Sequence, residues 1–186
     1  MDNLKLIALD REDIEVVSAH LQDAVVKSAD IRWRPAENRV VVALNRFDWE
    51  AANCAPPQFR RRRAALRFER VSACKCRELN AAQKDQVLNL LAVSFEETDQ
   101  PAGVVTLMFS GGAALRLEVE CLEAELADLG PTWVTECCPA HAVEGEVAEP
   151  AQMSSQAAWR SSVSCCAPAR FCRCRNRAIG PWRRRP

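Results

Sequence analysis

The chain has 186 residues, 25 Lys+Arg and 25 Asp+Glu, and no net formal charge. That length suits one domain plus an appendage, and no apolar run approaches the roughly 20 residues of a membrane span. The opening MDNLKLIALDRED has neither a basic n-region nor a long apolar h-region, so a cytoplasmic setting with reduced thiols is expected. The zero total hides an asymmetry. Residues 1–136 carry 17 Lys+Arg against 22 Asp+Glu and four cysteines, whereas residues 137–186 carry eight Arg, no Lys, three Glu and six cysteines. Two physically different pieces are therefore expected.

Leu4 to Leu9 reads as a strand. Asp10 is a suitable N-cap, because its carboxylate can accept from first-turn amides that lack a helical partner. Glu12, Asp13 and Glu15 follow where the helix dipole favours negative charge. Ile14, Val17, Leu21 and Val25 form an apolar stripe, which predicts a helix of about 13 residues. From Val26 the pattern turns strand-like, with Ile31 and Trp33 alternating with Arg32 and Arg34. Pro35–Asn38 is a turn, since proline presets φ and asparagine tolerates the left-handed region. Val40–Leu44 is a β-branched strand that continues to Trp49, with Asn45, Phe47 and Trp49 on one side and Arg46 and Asp48 on the other.

Glu50 to Arg63 reads as a loop broken by Pro56-Pro57 and ending in Arg60-Arg61-Arg62-Arg63. Leu66, Phe68 and Val71 then alternate with Arg67 and Glu69 as a strand. Asn80–Gln86 is polar loop, Val87–Phe95 an apolar strand and Glu96–Gly103 an acidic loop. Val104–Gly130 organises the rest. Two apolar runs flank Ser110-Gly111-Gly112, a hairpin signal. The outgoing run sets Leu115, Leu117, Val119 and Cys121 against Arg116, Glu118 and Glu120, a period of two with one wet face. Leu122, Leu126 and Leu129, at i, i+4 and i+7, predict a short helix stopped by Gly130-Pro131.

Strands that succeed one another through short connections favour antiparallel pairing. The expected fold of residues 1–136 is α+β: a six- or seven-stranded, mostly antiparallel curved sheet packed by an N-terminal helix and a short C-terminal helix. The more specific alternative is a half-barrel like the pleckstrin-homology superfold, with the last helix plugging one end. Residues 137–186 lose all periodicity. Rich in Arg, Cys, Ala, Ser and Pro and without leucine, they are expected to be a disordered tail. Their composition is that of GC-rich DNA read out of frame, which points to a frameshift near Cys137.

Several stretches between residues 4 and 133 resemble a bacterial family of uncharacterised proteins, domain-of-unknown-function family 2948. They are Leu4–Asp10, Ser18–Ala24 (SAHLQDA), Leu44–Glu50 (LNRFDWE), Arg61–Phe68 and Gly111–Cys121. The resemblance implies a small cytoplasmic bacterial protein without assigned activity, and it carries over no catalytic residue. The tail after Glu136 departs from the family pattern.

The best candidate polar site is His20, Asp23, Asn45, Arg46, Asp48 and Trp49. A histidine near carboxylates suits acid–base work, and Arg46 suits anion binding. The plainer alternative is that Arg46 and Asp48 pair on the solvent face while Asn45 caps a loop. The Arg60–Arg63 run suits phosphate contacts, or is simply a solvated loop. Cys137-Cys138, Cys165-Cys166 and Cys172-Arg173-Cys174 lack the C-x₂₋₄-C spacing of zinc sites, so neither a metal nor a cofactor is expected. Cys74 and Cys76 share a strand face, as ordinary half-buried cysteines do. Phosphate-loop, dinucleotide, metalloprotease and nucleophile-elbow motifs are absent.

The leading functional expectation is therefore a non-catalytic protein-binding domain that uses a sheet face or edge. A small enzyme centred on His20, Asp23 and Arg46 is the competing one, and RNA binding through Arg60–Arg63 the weaker third. The enzyme reading requires His20 and Arg46 to converge in one concave site.

Overall fold

A computed structural model describes residues 3–54, 56–79, 85–136, 138–139 and 160–161. The chain runs β1 (Lys5–Ala8), α1 (Arg11–Leu21), β2 (Ala24–Arg34), β3 (Arg39–Phe47), α2 (Trp49–Ala52), β4 (Arg60–Phe68), β5 (Val71–Arg77), β6 (Val87–Glu97), β7 (Gly103–Phe109), β8 (Ala114–Val119), β9 (Ala124–Val134) and β10 (Arg160–Ser161). The strands form one antiparallel sheet in the spatial order β1-β9-β4-β3-β2-β6-β7-β8-β5-β10. Nine strands carry it, and β10 is a two-residue bridge against Lys75 and Cys76. Among the described residues the sheet is larger than the expected six or seven strands, and it does not close.

The sheet curls because two long strands bend together. Only Glu69-Arg70 separates β4 from β5, and residues 120–123 separate β8 from β9. β4 pairs with β9 while β5 pairs with β8. Two backbone bonds tie the corner, Glu69 N–H to Glu123 O at 2.9 Å and Glu120 N–H to Arg70 O at 3.0 Å. Arg70 makes the bend in the left-handed region at φ 53°.

α1 forms for the reasons its sequence gives. Asp10 Oδ1 accepts from Asp13 N–H at 2.9 Å, and Asp13 Oδ2 accepts from Leu9 N–H at 3.0 Å, so the first turn is capped reciprocally. Ile14, Val17 and Leu21 are buried, chiefly against β6, where Ser18 Oγ accepts from Val93 N–H at 2.9 Å. The helix ends at Leu21, two residues before Asp23 turns left-handed at φ 59°. The Pro35–Glu37 turn closes at Asn38, φ 48°, as its residue types require. Gly111 and Gly112 take φ 74° and 79° in the β7–β8 hairpin, conformations that other residues adopt at a cost.

Three expectations are corrected. The C-terminal helix is strand β9. Spacing i, i+4 satisfies a period of two as well as 3.6, and only Leu129 separates the two readings; it is 53% exposed, off the buried face. Without that helix the pleckstrin-homology alternative loses its plug. Gly130-Pro131 is not a helix stop. Gly130, φ 99°, lies where the β4–β9 register slips between Arg62 and Ala64, so it serves a bulge. The Arg60–Arg63 run is not loop but the first four residues of β4.

Cys74 and Cys76 face the core, and Cys76 is in a disulfide, contrary to the expectation of reduced thiols. Among the described residues, no helix is long and apolar enough to cross a membrane. The expected disorder of 137–186 falls almost wholly outside the described residues.

A charged layer at the end of the core

The inner-facing rows of three neighbouring strands change character at one end. On β3, Val40, Val42 and Leu44 are buried, and the next inner residue is Arg46. On β4, Phe68, Leu66 and Ala64 lead to Arg62. On β9, Ala124 and Leu126 lead to Asp128. Arg46 stands directly opposite Arg62 in the β3–β4 register. Two like charges side by side in a core require carboxylates to hold them.

Those carboxylates are Asp128, Asp48 and Glu50. Arg46 donates Nε to Asp128 Oδ1 at 2.8 Å and Nη2 to Asp128 Oδ2 at 3.0 Å, a two-pronged pair whose side chains are 2% and 1% exposed. Its Nη1 donates to Glu50 Oε2 at 3.2 Å. Asp48 Oδ2 accepts from Arg62 Nε at 2.6 Å and Arg60 Nε at 2.7 Å. Its Oδ1 accepts from Ala51 N–H at 3.2 Å, which caps α2. Burial alone would push the Asp48 carboxyl up; the bonds from Arg62, Ala51 N–H and Arg60 win and hold it well below the usual carboxylate range. Burial likewise works against the charge on Arg46, and Asp128 and Glu50 outweigh it, so its pKa is raised. At the rim, His20 Nδ1 lies 3.1 Å from Glu50 Oε1.

A cleft of about 230 Å³ opens onto this layer, lined by Arg46, Asp48, Glu50, Ala51, Cys54, Arg60 and Arg62. A second, of about 410 Å³, lies between Pro57–Arg60 and Thr132–Thr135, and the two share Arg60. The outer side of the sheet is covered differently here. Phe47 is fully buried beneath Trp49, edge-on at 4.7 Å between centroids, with Phe59 at 6.3 Å and the Arg61 guanidinium 5.9 Å from its ring.

The family model described as Protein of unknown function (DUF2948) matches residues 4–141. The chain belongs to this family. No curated protein and no solved structure matches it. The family match covers every residue of the charged layer and ends before β10.

Within this family member, the six sequence-derived site residues divide. His20, Arg46 and Asp48 join the charged layer, with Glu50 gripping both His20 and Arg46. Arg46 and Asp48 are not a solvent-face pair: both are buried, and the contacts above join them to other residues. Asn45, Asp23 and Trp49 belong elsewhere. Asn45 Oδ1 accepts from Arg63 Nη1 at 3.1 Å, and the carbonyls of Asp23 and Asn45 both accept from Arg61 Nη1. Trp49 Nε1 donates to Gln22 O at 3.4 Å.

Sequence reasoning missed Asp128, Glu50 and the inner-facing half of the arginine run. The alternation Arg62, Ala64, Leu66, Phe68 was the available signal, because it continues an apolar face into a charge. Asp128 lies 82 residues from Arg46, and nothing local joins them.

Proposed function

We propose that this domain is a protein-binding module that docks a partner segment beside the second half of β9. The observation that carries the reading is the apolar cleft of about 410 Å³ at that place. Trp133 and Val134 line it and are 41% and 83% exposed, with Leu129 exposed nearby on the same strand. Large apolar side chains grouped around a cleft are a more specific signal than singly scattered ones. β1 pairs with β9 only at residues 124–127, so among the described residues Thr132–Val134 has β4 on one side and no strand on the other. An extended segment added there would gain main-chain bonds and place a side chain against Phe59 and Trp133.

A photo-crosslinking residue placed at Trp133 in the cellular protein tests this. The expected result is a discrete adduct with one protein, missing when the crosslinker sits at exposed Asp99 and lost in Thr132→Pro. Equal labelling from both positions would overturn the reading.

A second reading is favoured by one observation. His20 and Arg46 converge on Glu50 at the mouth of the smaller cleft, which is the geometric condition a small enzyme would need. The binding reading expects His20→Ala to leave the Trp133 adduct unchanged. RNA binding draws less support, because each arginine of Arg60–Arg63 already meets a protein acceptor.

A further inference from the structure

We infer that the smaller cleft is a receptor for a carboxylate group, with Arg62 as its anchor. This stands apart from the protein-binding reading, because it rests on a different cleft and on one unusual side chain. Arg62 is 7% exposed, yet only its Nε is hydrogen-bonded, to Asp48 Oδ2. Nη1 lies 3.8 Å from Asp128 Oδ2, beyond hydrogen-bond length, and among the described residues no acceptor bonds Nη1 or Nη2. Arg46, its cross-strand neighbour, is by contrast bonded through Nε, Nη1 and Nη2. A guanidinium this deep, with its terminal fork unmet by protein and facing a cleft, is placed to accept a planar two-oxygen partner.

The surroundings select the class of anion. Arg46, Arg60 and Arg62 are balanced there by Asp48, Glu50 and Asp128. A single added negative charge is welcome beside Arg62, whereas a doubly charged phosphate would also meet the Asp48 and Glu50 carboxylates lining the same cleft. The volume of about 230 Å³ corresponds to about eight water-sized groups at about 30 Å³ each, enough for a carboxylate and a short stem. The two clefts have Arg60 as a common wall, which sets the apolar surface of the larger one beside this site.

The test titrates the ¹⁵N-labelled full chain with 3-phenylpropionate, with the neutral 3-phenylpropanamide and with inorganic phosphate. The acid is expected to saturate with a Kd of about 1 mM, to shift the amide signals of Ala51, Cys54, Arg60 and Arg62, and to bind at least about tenfold tighter than the amide. Arg62→Gln is expected to abolish the preference for acid over amide, and Arg62→Lys, which keeps the charge and loses the fork, to weaken it. Should Arg62→Gln fail to fold, the acid–amide comparison on the unaltered chain decides. Equal binding of acid and amide, phosphate binding as tightly as the acid, or saturable shifts confined to residues away from this cleft would overturn the inference.

Discussion

Along β3 the inner row reads Val40, Val42, Leu44 and then Arg46; along β4 it reads Phe68, Leu66, Ala64 and then Arg62. The apolar stretch and the charged end share strands, register and near-complete burial, and they are held by opposite means. The apolar part excludes water and is non-directional, so any side chain of similar shape serves. The charged end is directional: each guanidinium is taken from water, and its cost is offset only by carboxylates at fixed positions. A sheet can thus continue past the limit of its oily interior, provided that three neighbouring strands, one of them remote in sequence, deliver matching charges to one layer.

Removing one acid from the charged end is the strongest challenge to this contrast. Asp128→Ala leaves Arg46 buried without its two-pronged partner and is expected to lower stability by about 3–5 kcal/mol. Urea unfolding at neutral pH checks it, and a loss under about 1 kcal/mol would mean that Arg46 turns out to water when released. Leu66→Ala, on the same sheet in the apolar stretch, is expected to cost about 2–5 kcal/mol through lost transfer and a residual cavity. Its penalty should be the same at pH 7 and pH 3, because no titrating group is touched. The smallest effect is the one that separates the regions by mechanism. Asp48 has a folded-state pKa below its ordinary 3.8, so its contribution is complete above that value and declines as pH falls beneath it. Asp48→Asn should therefore destabilise most at neutral pH, with the gap to the unaltered chain narrowing by pH 3. A gap that stays constant would show that Asp48 acts as a helix cap alone.

The apolar part was the legible part. Helix α1 with its Asp10 cap, the Pro35–Asn38 turn and the glycine hairpin all follow from local residue chemistry, and the structure has each of them. β9 was misread because Leu122 and Leu126 suit helix and strand alike. The charged layer was half visible. His20, Arg46 and Asp48 stood out as polar residues beside apolar stripes, but their partners are set by pairing β4 with β9, which no window of sequence contains. Arginines in a row read as a solvated loop unless strand alternation is assumed first; alternation sends Arg60 and Arg62 to Asp48, and Arg61 and Arg63 to the opposite face.

The pairing of β1 with β9 has a consequence for how the chain is made. Leu4 N–H donates to Asp128 Oδ2 and Leu4 O accepts from Asp128 N–H, a contact spanning 124 residues. A ribosome delivers the first strand early and its mate last, so β1 must wait unpaired until nearly the whole domain has emerged. Asp128 completes two things on arrival: it closes the seam with the oldest segment of the chain and neutralises Arg46. Sealing the β1 edge and completing the partners of Arg46 both depend on this one residue, so a nascent chain stalled before residue 128 would hold an unsealed edge and an arginine without its two-pronged partner together.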